Sequence, residues 1–218
     1  MITSRDNEKL KLVRKLHERR WRDKLGLFFV EGEDAVEAAT AEPVELLLAD
    51  ENVSRELLAE VSTAAHPPRV IGIYRRDDLP RAEPRPVALE LWGVADPGNV
   101  GTLIRSADAF GAAVVLTPGC ADPTGPKALR ASAGSIWRVP LVAGGAGERV
   151  ALLAHGGAPL PELDLVGAAT FLLGAERAGL PADVPRDIEA SIPITGAESL
   201  NVATAGAVAL YEWRRQNP

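Results

Sequence analysis

The sequence predicts an α/β protein with a small N-terminal domain and a larger C-terminal domain that contains a parallel sheet. Candidate strands and helices alternate over residues 27–116. Residues 80–86 contain three prolines and no large apolar side chain, so they separate two alternating regions. After this break in the sequence, an apolar run at residues 87–94 is followed by a Pro-Gly turn, a helical pattern and a second apolar run. A strand, a helix and a strand in this order predict parallel pairing with a right-handed crossover.

The N-terminal domain is predicted to span residues 1–82. It opens with a pattern in which Leu10, Val13 and Leu16 share one face of a helix. His66 and the two prolines behind it end the last helix of this domain, because proline lacks the amide hydrogen that a helix requires. The predicted helices cover about residues 7–20, 33–41 and 54–64, the last with Ser54 as its N-cap, and the predicted strands cover residues 27–30, 44–48 and 69–74.

The C-terminal domain is predicted over residues 83–218. Its first strand, residues 87–94, is followed by a helix for which Asn99 is the expected N-cap and Gly111 the C-terminal stop. Ligands bind at the carboxyl ends of strands in open parallel sheets, so polar residues behind this strand are candidate site residues. Further strands are predicted at residues 112–116, 168–173 and 190–194, and further helices at residues 126–133 and from Ser199 or Asn201 to about residue 214.

The composition favours a folded protein in a reducing compartment. Of the 218 residues, 46% are hydrophobic, which is sufficient for a packed core. The single cysteine, Cys120, cannot form an internal disulfide, which fits the cytoplasm. The chain has no apolar run suited to a secretory leader or to the roughly 20 residues of a membrane span. Its three histidines and one cysteine are too scattered for a metal site, so we expect no membrane and no metal.

Basic residues concentrate at the N-terminus of an otherwise acidic chain. The first 24 residues contain nine Lys or Arg and four Asp or Glu, a local net charge of +5. The whole chain has a net charge of −6, so the remainder carries −11. A basic segment on an acidic body suits contacts to nucleic-acid phosphates, although a solvated amphipathic helix gives the same pattern. The candidate phosphate contacts are Arg5, Lys9, Arg19, Arg20 and Arg22.

Several common enzyme fingerprints are missing from the sequence. No G-x-G-x-x-G pattern follows a strand, and no G-x-x-x-x-G-K-[ST] pattern occurs, so neither a dinucleotide site nor a P-loop is indicated. The run Gly144-Gly145-Ala146-Gly147 is interpreted as a flexible turn. A nicotinamide-dependent enzyme is therefore supported by the α/β pattern alone.

Three longer motifs occur in a fixed order in the C-terminal domain. Residues 96–111 read DPGNVGTLIRSADAFG, residues 172–181 read LLGAERAGLP, and residues 191–213 read SIPITGAESLNVATAGAVALYEW. Together they resemble the signature motifs of the SpoU (TrmH-type) RNA 2′-O-ribose methyltransferases of the SPOUT class. The N-terminal stretch also resembles the small RNA-binding domain of that family, so the resemblance covers nearly the whole chain. It implies a methyltransferase domain tied in a C-terminal trefoil knot.

The resemblance also implies a reaction and a set of site residues. The reaction is methyl transfer from S-adenosyl-L-methionine to a ribose 2′-hydroxyl of RNA, and the family forms homodimers through the knot domain. By resemblance, Arg105 acts nearest the ribose, and residues 203–210 and Trp213 are interface candidates. The other implied catalytic positions are Asn99, Glu176, Ser199 and Asn201; the cofactor positions are Leu173, Gly174, Ile192, Ile194 and Leu200; and two further phosphate contacts are Lys127 and Arg130.

The chain departs from the family pattern at three places. Ile194 stands where the family usually has Met, and one additional residue lies between Gly196 and Glu198. Residues 143–163 are short, which predicts that one helix or strand of the pattern is truncated, because a parallel crossover usually needs a dozen residues or more. A non-catalytic RNA-binding or ribosome-associated protein on the same fold stays an alternative. Ribosomal RNA is favoured over transfer RNA because the family's transfer-RNA members often lack the separate N-terminal domain.

Overall fold

A computed structural model describes residues 1–81 and 85–218. The predicted domain junction near Ala82 lies outside these residues, so the boundaries 1–82 and 83–218 stay a prediction. A three-stranded antiparallel sheet lies before residue 82 and a seven-stranded parallel sheet lies after residue 84. The predicted division into a small α/β unit and a larger parallel α/β unit is therefore confirmed.

The small unit packs its helices around the antiparallel sheet, which has the order β1-β3-β2. The predicted helix over residues 7–20 is in fact two helices, which are separated at His17 and Glu18. Leu10, Val13 and Leu16 are fully buried, as their spacing predicts. The elements are α1 (Glu8–Leu16), α2 (Arg19–Leu25), β1 (Leu27–Glu31), α3 (Glu33–Glu37), β2 (Glu45–Leu48), α4 (Arg55–Val61) and β3 (Val70–Arg75).

The large unit is a parallel sheet of order β6-β5-β4-β9-β7-β10-β8, in which every strand pair is parallel. This confirms the sheet type that the sequence predicts. The trefoil knot stays a prediction, because strand order describes neighbours and not threading. The elements are β4 (Val87–Trp92), α5 (Pro97–Phe110), β5 (Ala113–Leu116), α6 (Pro126–Ser132), β6 (Leu141–Val142), β7 (Glu148–Leu153), β8 (Ala158–Pro159), β9 (Ala169–Gly174), β10 (Ile188–Ser191) and α7 (Val202–Gln216).

The crossover from β6 to β7 consists of residues 143–147 alone and contains no helix. These residues lie against β9, where Thr170 Oγ1 donates to the carbonyl of Ala146 at 2.8 Å. A Cβ on Gly145 would lie 2.1 Å from Thr170 Oγ1, so this glycine is required by packing. The glycine-rich run is therefore an extended connection packed against β9 and not a turn, and no helix lies in this part of the segment that the sequence predicts to be truncated.

Helices α5 and α7 cover the same face of the large sheet. A Cβ on Gly206 of α7 would lie 2.4 Å from Leu103 of α5, so the small residues of α7 allow this close contact. Trp213 is 5% exposed and donates its indole N–H to the carbonyl of Gly167 at 2.8 Å. Trp213 and most of the small residues are thus used within the chain, which corrects the expectation that they form a subunit interface.

One apolar cluster extends across both units, and a second cluster lies within the small unit. Trp137 of the large unit contacts Phe28 and Tyr74 of the small unit, with ring centroids 5.5 and 4.7 Å apart. All three side chains are at most 1% exposed. Their burial removes apolar surface from water between the units, which stabilises a defined relative position.

A buried ion-pair cluster also connects the two units. Arg22 Nε donates to Asp122 at 2.8 Å, and Arg76 approaches the same carboxylate oxygen at 2.6 Å. Thr124 adds hydrogen bonds to Asp122 from its hydroxyl and its amide. Burial acts to raise the pKa of Asp122, but Thr124 and the two arginines outweigh it and hold the pKa below its usual value. The carboxylate is therefore ionised at neutral pH.

Candidate active site at the carboxyl edge of the parallel sheet

The site begins where β4 ends and α5 starts. Asp96 is the N-cap of α5, and its side chain accepts from the amide of Asn99 at 3.0 Å. The expectation that Asn99 is the cap is wrong, because the first residue with a helical backbone is Pro97. Lys127 donates to Asp96 at 2.8 Å and lowers the pKa of this carboxyl, with help from the Asn99 amide. Capping by Asp96 leaves the side chain of Asn99 available to other partners.

Asn99 joins residues from the two other motifs. Its side-chain amide donates to Glu176 Oε1 at 2.6 Å, and its carbonyl oxygen accepts from Asn201 Nδ2 at 3.1 Å. Asn201 in turn caps α7, since its oxygen accepts from the amides of Ala203 and Thr204. The three motifs are far apart in sequence but meet in one hydrogen-bonded chain, Glu176–Asn99–Asn201.

A cavity of about 390 Å³ lies next to this chain of side chains. Its wall includes Glu176, Ser199 and Asn201, and it includes every residue that the sequence proposes for the cofactor: Leu173, Gly174, Ile192, Ile194 and Leu200. Ile192 and Ile194 lie beyond the strand predicted to contain them, because β10 ends at Ser191. The structure thus brings eight of the ten predicted catalytic and cofactor residues to one cavity wall.

The end of β7 also lines the cavity, which sequence reasoning missed. Leu152, Leu153 and Ala154 form this part of the wall. The apolar run that contains Leu152 and Leu153 is typical of a strand. Because the segment 143–163 is short, the sequence did not indicate where this strand lies in the sheet. Only the pairing of β7 between β9 and β10 shows that its carboxyl end reaches the site.

Gly174 has a packing role in addition to its place in the cavity wall. A Cβ at this position would lie 2.1 Å from the backbone carbon of Gly179 and 2.2 Å from the amide of Leu180. The close backbone approach is therefore to the chain's own loop, and this loop closes one side of the cavity. Any side chain at residue 174 would displace it.

Arg105 does not join the other predicted residues within one chain. It is exposed on α5 and does not line the cavity. It lies six residues beyond Asn99, so at 100° per residue the two side chains leave different sides of the helix. Thr102, Arg105 and Ala109 form an exposed stripe on α5, and Tyr211 of α7 is 60% exposed next to Phe110.

The predicted phosphate-contacting residues fall into different environments. The Arg22 side chain is 5% exposed and is bound to Asp122, so we remove Arg22 from the candidate RNA surface. Arg130 bridges the two units through Thr63 at 2.6 Å and stays 43% exposed. The other candidates are exposed and have carboxylate partners: Arg5 with Glu60, Lys9 with Glu45, Arg19 with Asp23, Arg20 with Glu18, and Lys127 with Asp96.

Within residues 1–81 and 85–218, His, Cys, Asp and Glu side chains do not gather in a group of three or more that could hold a metal ion. In the same residues, every helix is too short or too polar to cross a bilayer.

The parallel α/β fold, with a cavity at its carboxyl edge and a separate small domain, matches known RNA methyltransferases. Residues 86–211 match the SpoU rRNA Methylase family, and residues 7–72 match the MRM3-like substrate binding domain. The chain therefore belongs to the SpoU rRNA methylase family, which confirms the resemblance seen in the sequence.

Individual relatives support the same assignment. The chain is 34% identical to the 23S rRNA (guanosine(2553)-2′-O)-methyltransferase RlmP of Bacillus subtilis, with 98% of each protein covered. It is 32% identical to a 23S rRNA (uridine(2479)-2′-O)-methyltransferase of Streptomyces viridochromogenes, covering 99% of this chain and 92% of the relative. The crystal structure of an AdoMet-bound rRNA methyltransferase from Sinorhizobium meliloti superposes with a TM-score of 0.85 at 27% identity, covering 98% of this chain and 97% of that one.

Proposed function

We propose that this protein transfers a methyl group from S-adenosyl-L-methionine to a ribose 2′-hydroxyl of ribosomal RNA. The observation that carries the proposal is the Glu176–Asn99–Asn201 chain at the cavity wall, because it joins all three family motifs. Ribosomal RNA as the substrate class rests on relatives named 23S rRNA 2′-O-methyltransferases. The family's transfer-RNA activity is the nearest alternative.

The cavity suits a nucleoside with a positively charged group. Leu173, Ile192, Ile194 and Leu200 offer apolar surface to an adenosine, and the volume lies in the range of about 300–1,000 Å³ for small-ligand sites. Glu176 is the one ionisable side chain among the described residues of the wall, and its carboxylate suits a nearby cation. When bound, S-adenosyl-L-methionine supplies a methyl group that is already activated for transfer.

The protein's own residues orient the RNA and stabilise charge. Asn99 and Asn201 fix the carboxylate of Glu176 and present amide groups, while Ser199 adds a hydroxyl to the wall. Arg105 stabilises the negative charge that develops as the 2′-hydroxyl loses its proton. We assign Arg105 this electrostatic role because a guanidinium is almost never neutral in proteins and so is a poor base.

The position of Arg105 supports a homodimer. Within one chain it lies outside the cavity wall, in the exposed stripe of α5, and the ring of Tyr211 on α7 is 60% exposed beside Phe110. A second copy packed on these two helices would bring Arg105 to the partner's site and cover the ring. The trefoil knot, the domain limits 1–82 and 83–218 and a cytoplasmic location belong to the same proposal.

Methyl transfer from labelled S-adenosyl-L-methionine to unmodified total RNA, with ribosomal and transfer RNA separated afterwards, tests the proposal. The native protein is expected to label the RNA, and nuclease digestion then identifies a 2′-O-methylated nucleotide. Removal of one charge-stabilising donor costs about 10²–10³-fold in turnover, so Arg105→Ala should lower the rate by that factor. Arg55→Ala is the matched control, because Arg55 is an exposed arginine of the small unit, paired with Asp50, outside the cavity wall and outside α5 and α7.

The other outcomes separate the alternatives. Label on transfer RNA with none on ribosomal RNA would replace the substrate and keep the reaction. Saturable binding of RNA without label and without cofactor binding would favour the non-catalytic RNA-binding protein. Equal turnover of Arg105→Ala and the native protein would remove Arg105 from the mechanism.

A further inference from the structure

The surface of α2 carries a tryptophan surrounded by three cations. Trp21 is half-buried, and Lys24 Nζ, Lys15 Nζ and Arg20 Cζ lie 5.1, 5.4 and 5.6 Å from its ring centroid. All three cationic side chains are exposed. A cation within about 6 Å of an indole face is attracted by the electrons of the ring. We call these four residues the Trp21 cluster.

Two of these cations differ from the rest of the basic N-terminal segment. Within the described residues, Lys15 and Lys24 have no carboxylate within 4.0 Å, and neither makes a side-chain hydrogen bond. The other basic residues of the segment have partners. Arg14 donates to the carbonyl of Arg5. Six further residues form ion pairs with carboxylates: Arg5, Lys9, Lys11, Arg19, Arg20 and Arg22. Among the described residues, the basic side chains of the segment without a carboxylate partner are therefore Lys15 and Lys24, both at Trp21, and Arg14, whose guanidinium is bound to a carbonyl.

A short series of contacts connects this cluster to the edge of the sheet that carries the candidate site. Arg19 of α2 donates to the carbonyl of Cys120 at 3.3 Å. Cys120 Sγ lies 3.1 Å from the carbonyl of Leu91, near the end of β4, and the next amide, that of Ala121, donates to Val94 at 2.9 Å. The same β4 end leads directly into Asp96 and α5. Helix α2 thus contacts the loop that follows β5 in the sequence, at the carboxyl edge of the large sheet.

We propose that the Trp21 cluster is a docking site for an unpaired stretch of the substrate RNA. The indole of Trp21 stacks on one base, and Lys15 and Lys24 contact the flanking phosphates. An aromatic ring between unpaired cations is the pattern that binds single strands, because every base has a stacking face and every linkage has a negative charge. The inference deepens the proposed function, since it assumes that the substrate is RNA.

Binding of a labelled 12-nucleotide oligouridine to the full-length protein, without cofactor, tests this inference. For single strands, the slope of log K against log salt changes by about 0.7 for each phosphate contact. The double variant Lys15→Gln/Lys24→Gln should therefore reduce the slope by about 1.4. Arg55→Gln/Arg69→Gln is the control, because it removes the same charge from exposed residues of the small unit that are paired with Asp50 and Glu33.

The stacking part is tested at Trp21 itself. Trp21→Ala is expected to weaken oligouridine binding by about 10-fold, and Trp21→Phe should retain most of the affinity, because a phenyl ring also stacks on bases. A 12-base-pair RNA duplex should bind native protein and Trp21→Ala with similar affinity, since its bases are not available for stacking. Thermal unfolding of each variant checks that the fold is intact.

The inference would be overturned if the two double variants change the salt slope equally, or if Trp21→Ala binds oligouridine like the native protein. It would also be overturned if Trp21→Ala loses as much affinity for the duplex as for the single strand, or if the native protein does not bind oligouridine. None of these depends on methyl transfer. If the native protein methylates RNA while the cluster variants bind normally, the proposed function stands and the docking site is wrong. If the cluster binds RNA as expected and no methyl transfer occurs, the proposed function is wrong instead.

Discussion

At the scale of single residues, Asn99 has the most consequential position. Its amide group donates to Glu176 and its carbonyl oxygen accepts from Asn201, so one side chain fixes a member of each other motif. It can do so because Asp96, and not Asn99, caps α5. A short amide side chain suits this role, because it offers both a donor and an acceptor in a fixed geometry.

Replacing Asn99 tests whether this geometry matters for the reaction. In Asn99→Ala, Glu176 and Asn201 lose their shared partner, and a misplacement of about 1 Å can cost about 10²-fold in rate. We expect kcat for methyl transfer to fall by about that factor. The free energy of unfolding should change by less than about 1 kcal/mol, because these hydrogen bonds lie at an open cavity.

Glu51→Ala, at an exposed position of the small unit outside α5, α7 and the cavity wall, is the control for the loss of a polar side chain. An Asn99→Ala protein with native kcat would contradict the positioning role. A loss of stability above about 3 kcal/mol would instead show that Asn99 mainly supports the fold.

At the scale of elements, the five-residue crossover between β6 and β7 is the unusual feature of this chain. Gly145 packs against the buried side chain of Thr170, and Gly147 has a positive φ of 71°. The connection is short because it passes along the sheet without a helix. Glycine permits this course, since a Cβ would meet β9 at residue 145 and the backbone is left-handed at residue 147.

Two neighbouring glycines provide a matched test of this crossover. Gly145→Ala would place a Cβ 2.1 Å from Thr170 Oγ1, and Thr170 is stiff at χ1 and hydrogen-bonded to Ala146. We expect a loss of about 1–3 kcal/mol in the free energy of unfolding, as for other overpacked sites. Gly144→Ala has open space and an ordinary φ, so it should be neutral or gain up to about 1 kcal/mol. Urea unfolding of both variants measures the difference, and equal stabilities would refute the packing argument.

At the scale of the whole molecule, the two units are held together by an apolar interface and a buried ion-pair cluster. Asp122 is the centre of this cluster, with the buried side chain of Arg22 on one side and Arg76 on the other. Its removal would leave Arg22 without its counter-charge. The position of the small unit against the large unit therefore depends in part on the ionised carboxylate of Asp122.

Asp122→Asn is expected to destabilise the protein by about 3–5 kcal/mol at neutral pH, the usual cost of breaking a buried ion pair. The pKa of Asp122 is lowered in the folded state, so its stabilisation is complete above the usual value of 3.8 and is lost as the pH falls through the folded pKa. The difference between native and variant should thus shrink below about pH 3.8. Asp50→Asn, which affects only an exposed pair with Arg55, should change stability by at most about 1 kcal/mol. A pH-independent difference would contradict this assignment.

The proposed dimer is also a prediction about the whole molecule. Analytical ultracentrifugation of the native protein should give twice the mass of the chain. Tyr211→Glu should shift the equilibrium to the single chain, because it places a charge where an exposed ring would become buried. Glu198→Gln, at an exposed position outside α5 and α7, is the control and should stay dimeric. A native protein that sediments only as the single chain would exclude the dimer.

The local pattern of the sequence was sufficient for most of the fold. Apolar runs and Gly or Pro breaks located both sheets, and the strand–helix–strand order over residues 87–116 predicted parallel pairing. Of the ten catalytic and cofactor residues that the three motifs imply, eight line the cavity, and Arg105 is exposed elsewhere on α5. These features are local because a helix or strand depends on side-chain periods that can be counted along the chain.

Only the tertiary structure decided which partner each polar or charged side chain has. The sequence could not show that Asp96 caps α5, that Arg22 is buried against a carboxylate 100 residues away, or that Lys15 Nζ and Lys24 Nζ lie 5.4 and 5.1 Å from the ring centroid of Trp21. It also could not place the end of β7 at the cavity. Hydrogen bonds and ion pairs depend on distances of a few ångströms between segments that are remote in the chain. Sequence periodicity determines which face a residue occupies, and packing determines what it meets there.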